Sequence, residues 1–462
     1  MISANHRIQS TTTDQRRHFS GTAAAAPATT TTTTTAAAME DEYGEMTADG
    51  DTHVEPNFVL ENGIALKEAQ LRYQTYGSLN DAKDNVIVVC HALTGNASLH
   101  SWWGELLGPN KAFDTSKYMI ICCNILGSCY GSTNPQSVDP TTGKRYSKDF
   151  PDISVQDTVK LQLLLLKNKL NVKSVKAVIG GSFGGMQAVE FAVQAGITGG
   201  DFCQEDGTYR YYYRYILSIY LLLLLLLSID VSRNTIIERV SHTLYFIHFL
   251  LLLHTYIHTG SPFLKSVIPI ACGAHHTAWQ IAVSEVQRQA IYADPNWNSS
   301  DPEQATAGLS VARQMGMISY RTAKGYDDKF GRQLQDSKKS DIKYGSAVNF
   351  KAQSYLQYQG KKFLMRFDPV TYVKMTEQMD SHDIARNRNG TAEEILARVE
   401  IPALVMGIDS DVLYPLAEQE FLAKHFSKGE LKVIHTPDGH DGFLLEQGQV
   451  GSNIVEFLNK QQ

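Results

Sequence analysis

The chain has 462 residues, a length that fits two or three domains, or one large α/β domain with extensions. Apolar residues make up 43% of the chain and charged residues 19%, which excludes disorder of the whole chain. The formal net charge of -6 gives no electrostatic reason to expect nucleic acid or an anionic membrane as a partner. The six cysteines show no C-x-x-C pair, so we expect a reducing compartment and neither a disulfide scaffold nor a structural metal.

The first 44 residues do not resemble part of a fold. They begin with three arginines, Arg7, Arg16 and Arg17, but only one acidic residue, Asp14. Runs of alanine and threonine follow. A basic, hydroxyl-rich start resembles a mitochondrial transit peptide, and RHFSGT at 17–22 resembles a processing site. A disordered tail is the alternative. We therefore expect the protein in the mitochondrion or, if the segment is only a tail, in the cytoplasm.

Six short apolar runs predict buried parallel strands, at 86–90, 118–122, 175–179, 266–271, 403–408 and 431–434. Helix-like stretches lie between them, including 155–168, where Asp152 or Ser154 can cap the start, and 185–194. This alternation predicts a doubly wound, mostly parallel sheet. From about 280 to 397 the pattern changes to polar helices, which predicts a helical cap over the carboxyl edge of the sheet, before the last strands.

Residues 201–260 interrupt this pattern with a segment rich in leucine and tyrosine. Positions 221–227 are all leucine, and 244–253 are nearly all apolar. The apolar stretch 215–229 is shorter than the roughly 18 to 20 residues that cross a bilayer, and no helical period separates a core face from a solvent face. We favour a segment foreign to the domain, such as a translated intron, over a membrane anchor or a buried helix pair.

A glycine-rich turn follows the third predicted strand. GGSFGGM at 180–186 fits the pattern G-x-S-x-G and precedes a predicted helix that begins near Met186. Such a turn strains the serine and exposes its hydroxyl, while the glycines let neighbouring backbone pass closely. Glycine-rich turns also serve packing or phosphate binding, but the flanking strand and helix favour Ser182 as a nucleophile.

A serine nucleophile needs a base that is oriented by an acid, and on this scaffold the chain order is serine, acid, histidine. His440, next to glycine in a loop near the C-terminus, is favoured as the base over His435, which lies at the end of a strand. Asp411 lies further into its loop than Asp409 and is favoured as the acid. Asp409 then remains a turn residue or a supporting group.

Acyl chemistry also needs hydrogen-bond donors for the negative charge that develops on the carbonyl oxygen. The backbone N–H of Phe183, directly after the serine, is one candidate. HALTG at 91–95 follows the first predicted strand and offers the N–H of Leu93 as the second donor. A plain glycine-containing turn is the alternative interpretation of that loop.

Five ordered motifs carry a family resemblance: HALTG at 91–95, GGSFGGMQ at 180–187, ARQMGMISY at 312–320, SDVLYP at 410–415 and GHDGF at 439–443. Together they resemble the homoserine O-acetyltransferase family, an acyltransferase branch of the α/β-hydrolase fold. The resemblance covers about 55–200 and 261–458. With 1–44 and 201–260 set aside, 45–200 and 261–462 form one α/β-hydrolase domain with a cap.

The resemblance implies a ping-pong transfer from acetyl-CoA to the hydroxyl of homoserine for methionine biosynthesis, with no bound cofactor or metal. It implies that Arg313 pairs with the substrate carboxylate, that Tyr320 faces the same pocket, and that Asp441 holds the substrate ammonium. Without the resemblance, Arg313 would be interpreted as a solvated helix residue and Asp441 as a loop carboxylate. A homodimer is also implied.

Segment 201–260 departs from the family, in which the helix after the serine leads almost directly into the next strand. Placed there, it would lie at the edge of the sheet far from the active site, or it would prevent folding if it is prone to aggregate. Two other activities stay open: the same transfer to serine or from succinyl-CoA, and a hydrolase or non-catalytic α/β-hydrolase-like protein. Water and an alcohol attack the same acyl-enzyme, so we expect Arg313 and a water-excluding cap to separate transfer from hydrolysis.

Overall fold

The computed structural model describes residues 50–197, 263–335 and 348–461. The predicted transit segment, 1–44, and the leucine-rich segment, 201–260, lie outside the described residues. Across the described ranges, no helix combines the length and the apolar character needed to cross a membrane.

Eight strands of the described chain form one sheet in the order β1-β2-β4-β3-β5-β6-β7-β8. They are β1 (Asp51–Val59), β2 (Ala65–Tyr76), β3 (Val86–Cys90), β4 (Met119–Cys123), β5 (Val175–Gly181), β6 (Val267–Ile270), β7 (Ala403–Ile408) and β8 (Gly429–Ile434). Strands β3 to β8 are the six that the sequence predicts, and all pairs among them are parallel. The prediction of a mostly parallel sheet is therefore confirmed.

The apolar runs of the sequence do not predict β1 and β2, which add an antiparallel hairpin at one edge of the sheet. In β1 the buried residues His53 and Phe58 are separated by exposed ones, so the strand contains no apolar run. An antiparallel edge hairpin keeps one face in water, whereas a central parallel strand such as β3 is buried on both faces. A search for apolar runs therefore finds only the central strands.

The helices of the described residues surround this sheet. They are α1 (Val155–Leu164), α2 (Phe183–Ala195), α3 (Ala278–Tyr292), α4 (Thr306–Ser319), α5 (Ala323–Phe330), α6 (Lys351–Phe363), α7 (Pro369–Asp380), α8 (Ala392–Ala397), α9 (Leu416–His425), α10 (Gly442–Leu445) and α11 (Gln447–Lys460). Neighbouring residues of β3 contribute to two different apolar clusters: Val86 and Val88 to one, Ile87 and Val89 to the other. This alternation places one core on each face of the sheet.

Of the two predicted caps for α1, Ser154 takes the role. Its side chain accepts a hydrogen bond from the backbone of Asp157, and the Asp157 carboxylate accepts one from the backbone of Ser154. This reciprocal pair satisfies two N–H groups that the helix itself leaves free. Asp152 instead pairs with Lys374 at 2.7 Å.

Helix α2 begins at Phe183, a turn earlier than the predicted start near Met186. Gly184, which precedes the predicted helical stretch 185–194, therefore lies inside the helix. A Cβ atom on Gly184 would lie 2.1 Å from the carbonyl oxygen of Cys90, so this position accepts only glycine for a packing reason. Because Phe183 is the first helical residue, its N–H has no intrahelical acceptor.

Helices α3 to α8 lie between β6 and β7 in the chain and form the cap that the sequence predicts. In the described part of 280–397 no strand is present beyond the isolated bridges, so the predicted helical character is confirmed. The cap contributes Arg313, Tyr320 and Met379 to a cavity that also contains Ser182 and His440. It therefore covers the carboxyl end of the parallel strands.

The chain on either side of 198–262 meets at one place. The N–H of Leu264 donates to the carbonyl oxygen of Ala195 at 3.3 Å, and the N–H of Val175 donates to that of Phe263 at 2.8 Å. Val175 is the first residue of β5, whose other end leads to Ser182. Both flanks of the segment therefore lie at the amino end of β5, away from Ser182.

Deletion of 201–260 is expected to preserve the fold, because Ala195 and Leu264 are already joined by a hydrogen bond. The deleted chain should unfold cooperatively, at a temperature no lower than that of the full chain, when thermal unfolding is followed by circular dichroism. A control deletion of α6, which packs on α4, should abolish the cooperative transition. If deletion of 201–260 had the same effect, the segment would be part of the domain.

Candidate active site

Ser182 occupies the sharp turn between β5 and α2. Its backbone has φ 58° and ψ -123°, a conformation that costs a residue with a side chain roughly 1–3 kcal/mol. The N–H of Ser182 donates to the carbonyl oxygen of Ile270 at 2.9 Å, and its own carbonyl accepts the N–H of Met186 at 3.1 Å. These bonds hold the strained turn, which is the geometry expected of a nucleophile on this scaffold.

The glycines around Ser182 allow this turn because backbone and side-chain atoms of neighbouring residues fill the space beside them. A Cβ atom would lie 2.2 Å from the carbonyl oxygen of Gly184 if built on Gly180. Built on Gly185 it would lie 2.7 Å from the sulfur of Cys272, and on Gly181 2.4 Å from the ring of Phe443. Any side chain at these positions would push the serine out of place.

His440 and Asp411 are joined by a short hydrogen bond between Nδ1 and Oδ2, at 2.6 Å. The other carboxylate oxygen of Asp411 accepts the N–H groups of Leu413 and Tyr414, each at 2.8 Å. Three hydrogen bonds thus fix the carboxylate and aim it at the imidazole. Both side chains are buried, so the pair is shielded from water.

The electrostatic surroundings favour a protonated imidazole. Burial by itself would lower the pKa of His440, but the neighbouring carboxyl groups, with Asp411 contributing most, together raise that pKa above its usual value. Asp441 and Glu418 add smaller contributions in the same direction. His440 is therefore a stronger base than a free imidazole, as proton transfer from a hydroxyl requires.

Glu418 is a third carboxyl group near this pair that the sequence analysis did not single out. Burial, and to a smaller extent Asp411, raise its pKa to about 7, although a hydrogen bond from Gln280 opposes the shift. The amide of Gln280 donates to Glu418 at 2.7 Å and to the carbonyl oxygen of Leu413 at 3.0 Å. The first helix of the cap is thereby joined to the loop that carries Asp411.

Ser182 and His440 line the same cavity, of about 40 Å³. Nε2 of His440 has no hydrogen-bond partner within the described ranges, and no hydrogen bond joins it to Ser182. Such bonds commonly close only when substrate is bound, so the open nitrogen remains available for the serine proton. The structure thus brings the three predicted residues to one site, and their catalytic roles stay predictions.

The two alternative candidates, Asp409 and His435, pair with each other at the surface. Nδ1 of His435 lies 2.8 Å from Oδ2 of Asp409, and their side chains are 75% and 39% exposed. Neither residue lines the cavity that contains Ser182. An exposed pair of this kind contributes little to stability.

The backbone N–H groups of Leu93 and Phe183 belong to residues close to Ser182, and their role as oxyanion donors stays a prediction. Leu93 lines the cavity, and its N–H makes no hydrogen bond to the described residues. The N–H of Phe183 stands at the start of α2, where the helix dipole favours negative charge. Both groups are available to stabilise an oxyanion.

Arg313 differs from the solvated helix residue that its sequence context alone suggests. It is only 4% exposed and lines the cavity with Ser182 and Tyr320. Its guanidinium carbon lies 4.9 Å from the ring centre of Phe363 and 6.0 Å from that of Tyr320. Its Nε is buried without an acceptor, and Arg313 has no ion-pair partner among the described residues.

Asp441 also lines the cavity, but its carboxylate already has a cationic neighbour. Nε of Arg321 lies 2.6 Å from its Oδ2, and Nη1 of the same arginine lies 3.0 Å from Asp438. An ammonium group at Asp441 would therefore share the carboxylate with Arg321. The sequence analysis missed Arg321, because a basic residue just after a helix is ordinary at a protein surface.

In the described ranges, no group of three or more His, Cys, Asp or Glu side chains is arranged to hold a metal ion. The cavity is completed by side chains that the sequence motifs did not identify as substrate contacts: Ala92, Thr94, Met379, Leu413 and Phe443. Most of them are apolar, and they surround the charged groups. The site can accommodate a small acyl group beside a serine, a base and one unpaired cation.

Comparisons with known proteins agree with this architecture. Residues 85–199 match the family model described as the alpha/beta hydrolase fold. The chain is 38% identical over 396 residues to the homoserine O-acetyltransferase of Salinibacter ruber. The aligned region covers 85% of this chain and 92% of that protein. In an alignment 477 positions long, it is 32% identical to the homoserine O-acetyltransferase of Saccharomyces cerevisiae. That alignment covers 87% of this chain and 85% of the yeast protein.

Solved structures show the same fold. The homoserine O-acetyltransferase from Bacillus anthracis superimposes with a TM-score of 0.66 at 22% identity, over 89% of this chain and 97% of that chain. An acetylester hydrolase from Corynebacterium glutamicum gives 0.64 at 21% identity, over 89% and 96%. These structures include a transferase and a hydrolase, so they establish the α/β-hydrolase fold only. The sequence relatives are closer and nearly full-length, and they show that the chain belongs to the homoserine O-acetyltransferase family.

Proposed function

We propose that the protein transfers an acetyl group from acetyl-CoA to the hydroxyl of L-homoserine, giving O-acetyl-L-homoserine for methionine biosynthesis. The observation that carries the proposal is the buried Arg313, which has no anionic partner in the described structure and shares a cavity with Ser182. A buried unpaired guanidinium is costly, and an amino-acid carboxylate would satisfy it with two parallel hydrogen bonds. The activity for which the two relatives are named supports homoserine as that amino acid.

In the first half-reaction, Oγ of Ser182 attacks the thioester carbon of acetyl-CoA. Nε2 of His440 takes the hydroxyl proton, and Asp411 stabilises the imidazolium that forms. The N–H groups of Leu93 and Phe183 donate to the oxyanion of the tetrahedral intermediate. The carbon–sulfur bond then breaks, His440 returns the proton to the sulfur, and CoA leaves an acetylated serine.

In the second half-reaction, the hydroxyl of homoserine gives its proton to His440 and attacks the acetyl ester on Ser182. The carbon–oxygen bond to the serine breaks, and His440 returns the proton to Oγ. Arg313 holds the carboxylate of homoserine, and Asp441, shared with Arg321, attracts its ammonium group. One histidine thus serves both halves of a ping-pong cycle.

The charge of the cavity supports acetyl over succinyl as the donor group. A succinyl group carries a carboxylate that an acetyl group lacks. Among the described residues that line the cavity, the permanent cation is Arg313, which the acceptor requires.

Hydrolysis is the second candidate, because an acetylester hydrolase shares the fold. Water could attack the acetylated serine at the position of the homoserine hydroxyl. A hydrolase of simple acetyl esters has no need of a buried arginine beside its serine, whereas an amino-acid acceptor does. The unpaired Arg313 therefore favours transfer.

The purified full-length chain is expected to release CoA from acetyl-CoA in one stoichiometric burst, and to continue only when homoserine is added. Thiol release can be followed with a chromogenic disulfide, and the acetylated serine by intact mass. Ser182→Ala should abolish both the burst and the mass adduct, because no other hydroxyl occupies the turn. Continuous CoA release without any amino acid would contradict the transferase proposal.

Arg313→Leu is expected to raise the KM for homoserine by about 100-fold or more, because a charge-assisted bidentate contact contributes roughly 3 kcal/mol. The rate of the acetylation burst should change by less than about threefold. Arg313→Lys should give an intermediate KM, since an ammonium keeps the charge without the planar fork.

Arg332→Leu is a matched control, because Arg332 is an exposed arginine of the cap that lies over Phe350. It should leave both half-reactions unchanged. Equal losses of acetylation and homoserine use in Arg313→Leu would show that Arg313 does not hold the acceptor.

Asp411→Asn is expected to move the acidic limb of the pH profile of kcat/KM to lower pH. His440 must be neutral to accept a proton, and among the groups that raise the pKa of His440 against burial the Asp411 carboxylate contributes most. Activity at the optimum should also fall by about 10³-fold to 10⁴-fold, because the imidazole loses its orientation. Asp409→Asn is the control, and a shift of the limb in this variant instead would reverse the assignment of the acid.

A further inference from the structure

His91 is a buried histidine beside the active site to which the proposed reaction gives no role. It directly follows β3 and is 0% exposed. Nδ1 lies 2.8 Å from the carbonyl oxygen of Ala92, and Nε2 lies 3.1 Å from the backbone nitrogen of Ile125. Both ring nitrogens are therefore engaged by backbone groups on two different loops.

These two contacts determine the tautomer of the ring. The backbone N–H of Ile125 can only donate, so Nε2 must be the acceptor and carries no proton. Nδ1 then carries the proton and donates it to the carbonyl oxygen of Ala92. Burial lowers the pKa of His91 to about 4, which keeps the ring neutral in the pH range where His440 acts as a base.

The carbonyl of Ala92 belongs to the same peptide unit as the N–H of Leu93. A trans peptide is planar, so its C=O and N–H point in opposite directions and one cannot turn without the other. The Ala92 oxygen is held from two sides, by His91 and by the N–H of Gly95 at 2.9 Å. The orientation of the Leu93 N–H is thus fixed through Ala92.

Gln187 connects this loop to the second donor. Its amide nitrogen lies 3.3 Å from the carbonyl oxygens of both His91 and Phe183, and its oxygen accepts the amide of Gln162 at 3.0 Å. The segments that carry the Leu93 and Phe183 N–H groups are therefore linked by one buried side chain. The spacing of the two donors is set before substrate arrives, which is what oxyanion stabilisation requires.

We propose that His91 is a positioning residue for the oxyanion donors: protonated at Nδ1, it holds the Ala92 carbonyl so that the Leu93 N–H points at the acyl oxygen on Ser182. The proposal rests on the proposed acylation of Ser182 and adds a group that acts through Leu93 rather than on the substrate. Loss of the hydrogen bond from His91 to the Ala92 carbonyl should slow acylation without weakening the binding of acetyl-CoA.

Two substitutions separate the two ring contacts. His91→Asn places an amide N–H near the position of Nδ1 and keeps a donor for Ala92, whereas His91→Gln places its amide near Nε2 and keeps only an acceptor for Ile125. Single-turnover acylation of the full chain is measured with acetyl-CoA and, separately, with p-nitrophenyl acetate. The acylation rate should fall by about 10-fold to 100-fold in His91→Gln and by less than about threefold in His91→Asn.

The dissociation constant for acetyl-CoA should stay within about twofold in both variants, which a general loss of folding would not allow. Equal losses of acylation rate in His91→Asn and His91→Gln, or a normal rate in His91→Gln, would overturn the proposal. A wild-type protein acylated by p-nitrophenyl acetate but unable to use homoserine would refute the proposed function, while leaving the comparison of these variants valid. Acylation of the wild type by neither compound would contradict both.

A direct measurement on the unmodified protein covers the case in which a variant does not fold. Nitrogen-15 correlation spectra of histidine-labelled protein, assigned with His91→Asn or with His91→Phe, report which ring nitrogen carries the proton. We expect a protonated Nδ1 and an unprotonated Nε2 with no change between about pH 5.5 and 8. A proton on Nε2 would exclude donation to Ala92 and overturn the proposal.

Discussion

The close packing of backbone around Ser182 is the constraint on which the rest of the site depends. Gly180 and Gly184 let the strand, the turn and the helix approach within distances that no Cβ would allow, and Ser182 takes a positive φ as a result. The surrounding core must offset the roughly 1–3 kcal/mol of strain. Helix α2 then starts directly at Phe183, so an unbonded N–H lies next to the nucleophile. One packing arrangement therefore produces both the strained turn of Ser182 and a helix-terminal N–H beside it.

The loops that carry the acid and the base are held by the cap as well as by the sheet. The N–H of Asp441 donates to the carbonyl oxygen of Tyr320 at the end of α4, and Arg321 pairs with the same loop. Helix α4 also carries Arg313, which we assign to the acceptor. His440 and Arg313 therefore share a structural support, and a movement of the cap would change the surroundings of both. This arrangement suits an enzyme that must admit an amino acid and exclude water at the same serine.

Charge in the cavity is distributed unevenly: carboxyl groups lie near His440, whereas Arg313 has no anion beside it among the described residues. His440 lies near three carboxyl groups, Asp411, Asp441 and Glu418, which together raise its pKa against the effect of burial. Arg313, in contrast, is buried without an anion in the described chain. The base is thereby strengthened within the protein, whereas the arginine is left for a ligand to neutralise. An acceptor with a carboxylate would neutralise Arg313. A hydroxyl on the same acceptor would give its proton to His440.

The sequence by itself determined the central strands, the cap and the residues of the predicted triad, because each follows from a local pattern: an apolar run, a helical stretch, or a short motif after a strand. The places of His440 and Asp411 in their loops favoured them over His435 and Asp409. In the structure His440 lines the cavity and is bonded to Asp411, whereas neither His435 nor Asp409 lines it. The tertiary structure alone decided the edge hairpin, the start of α2, the burial of Arg313, and the contacts of Arg321 and His91. These depend on atoms from segments far apart in the chain, such as Arg321 with Asp441 or His91 with Ile125, and packing brings them together without a local signal.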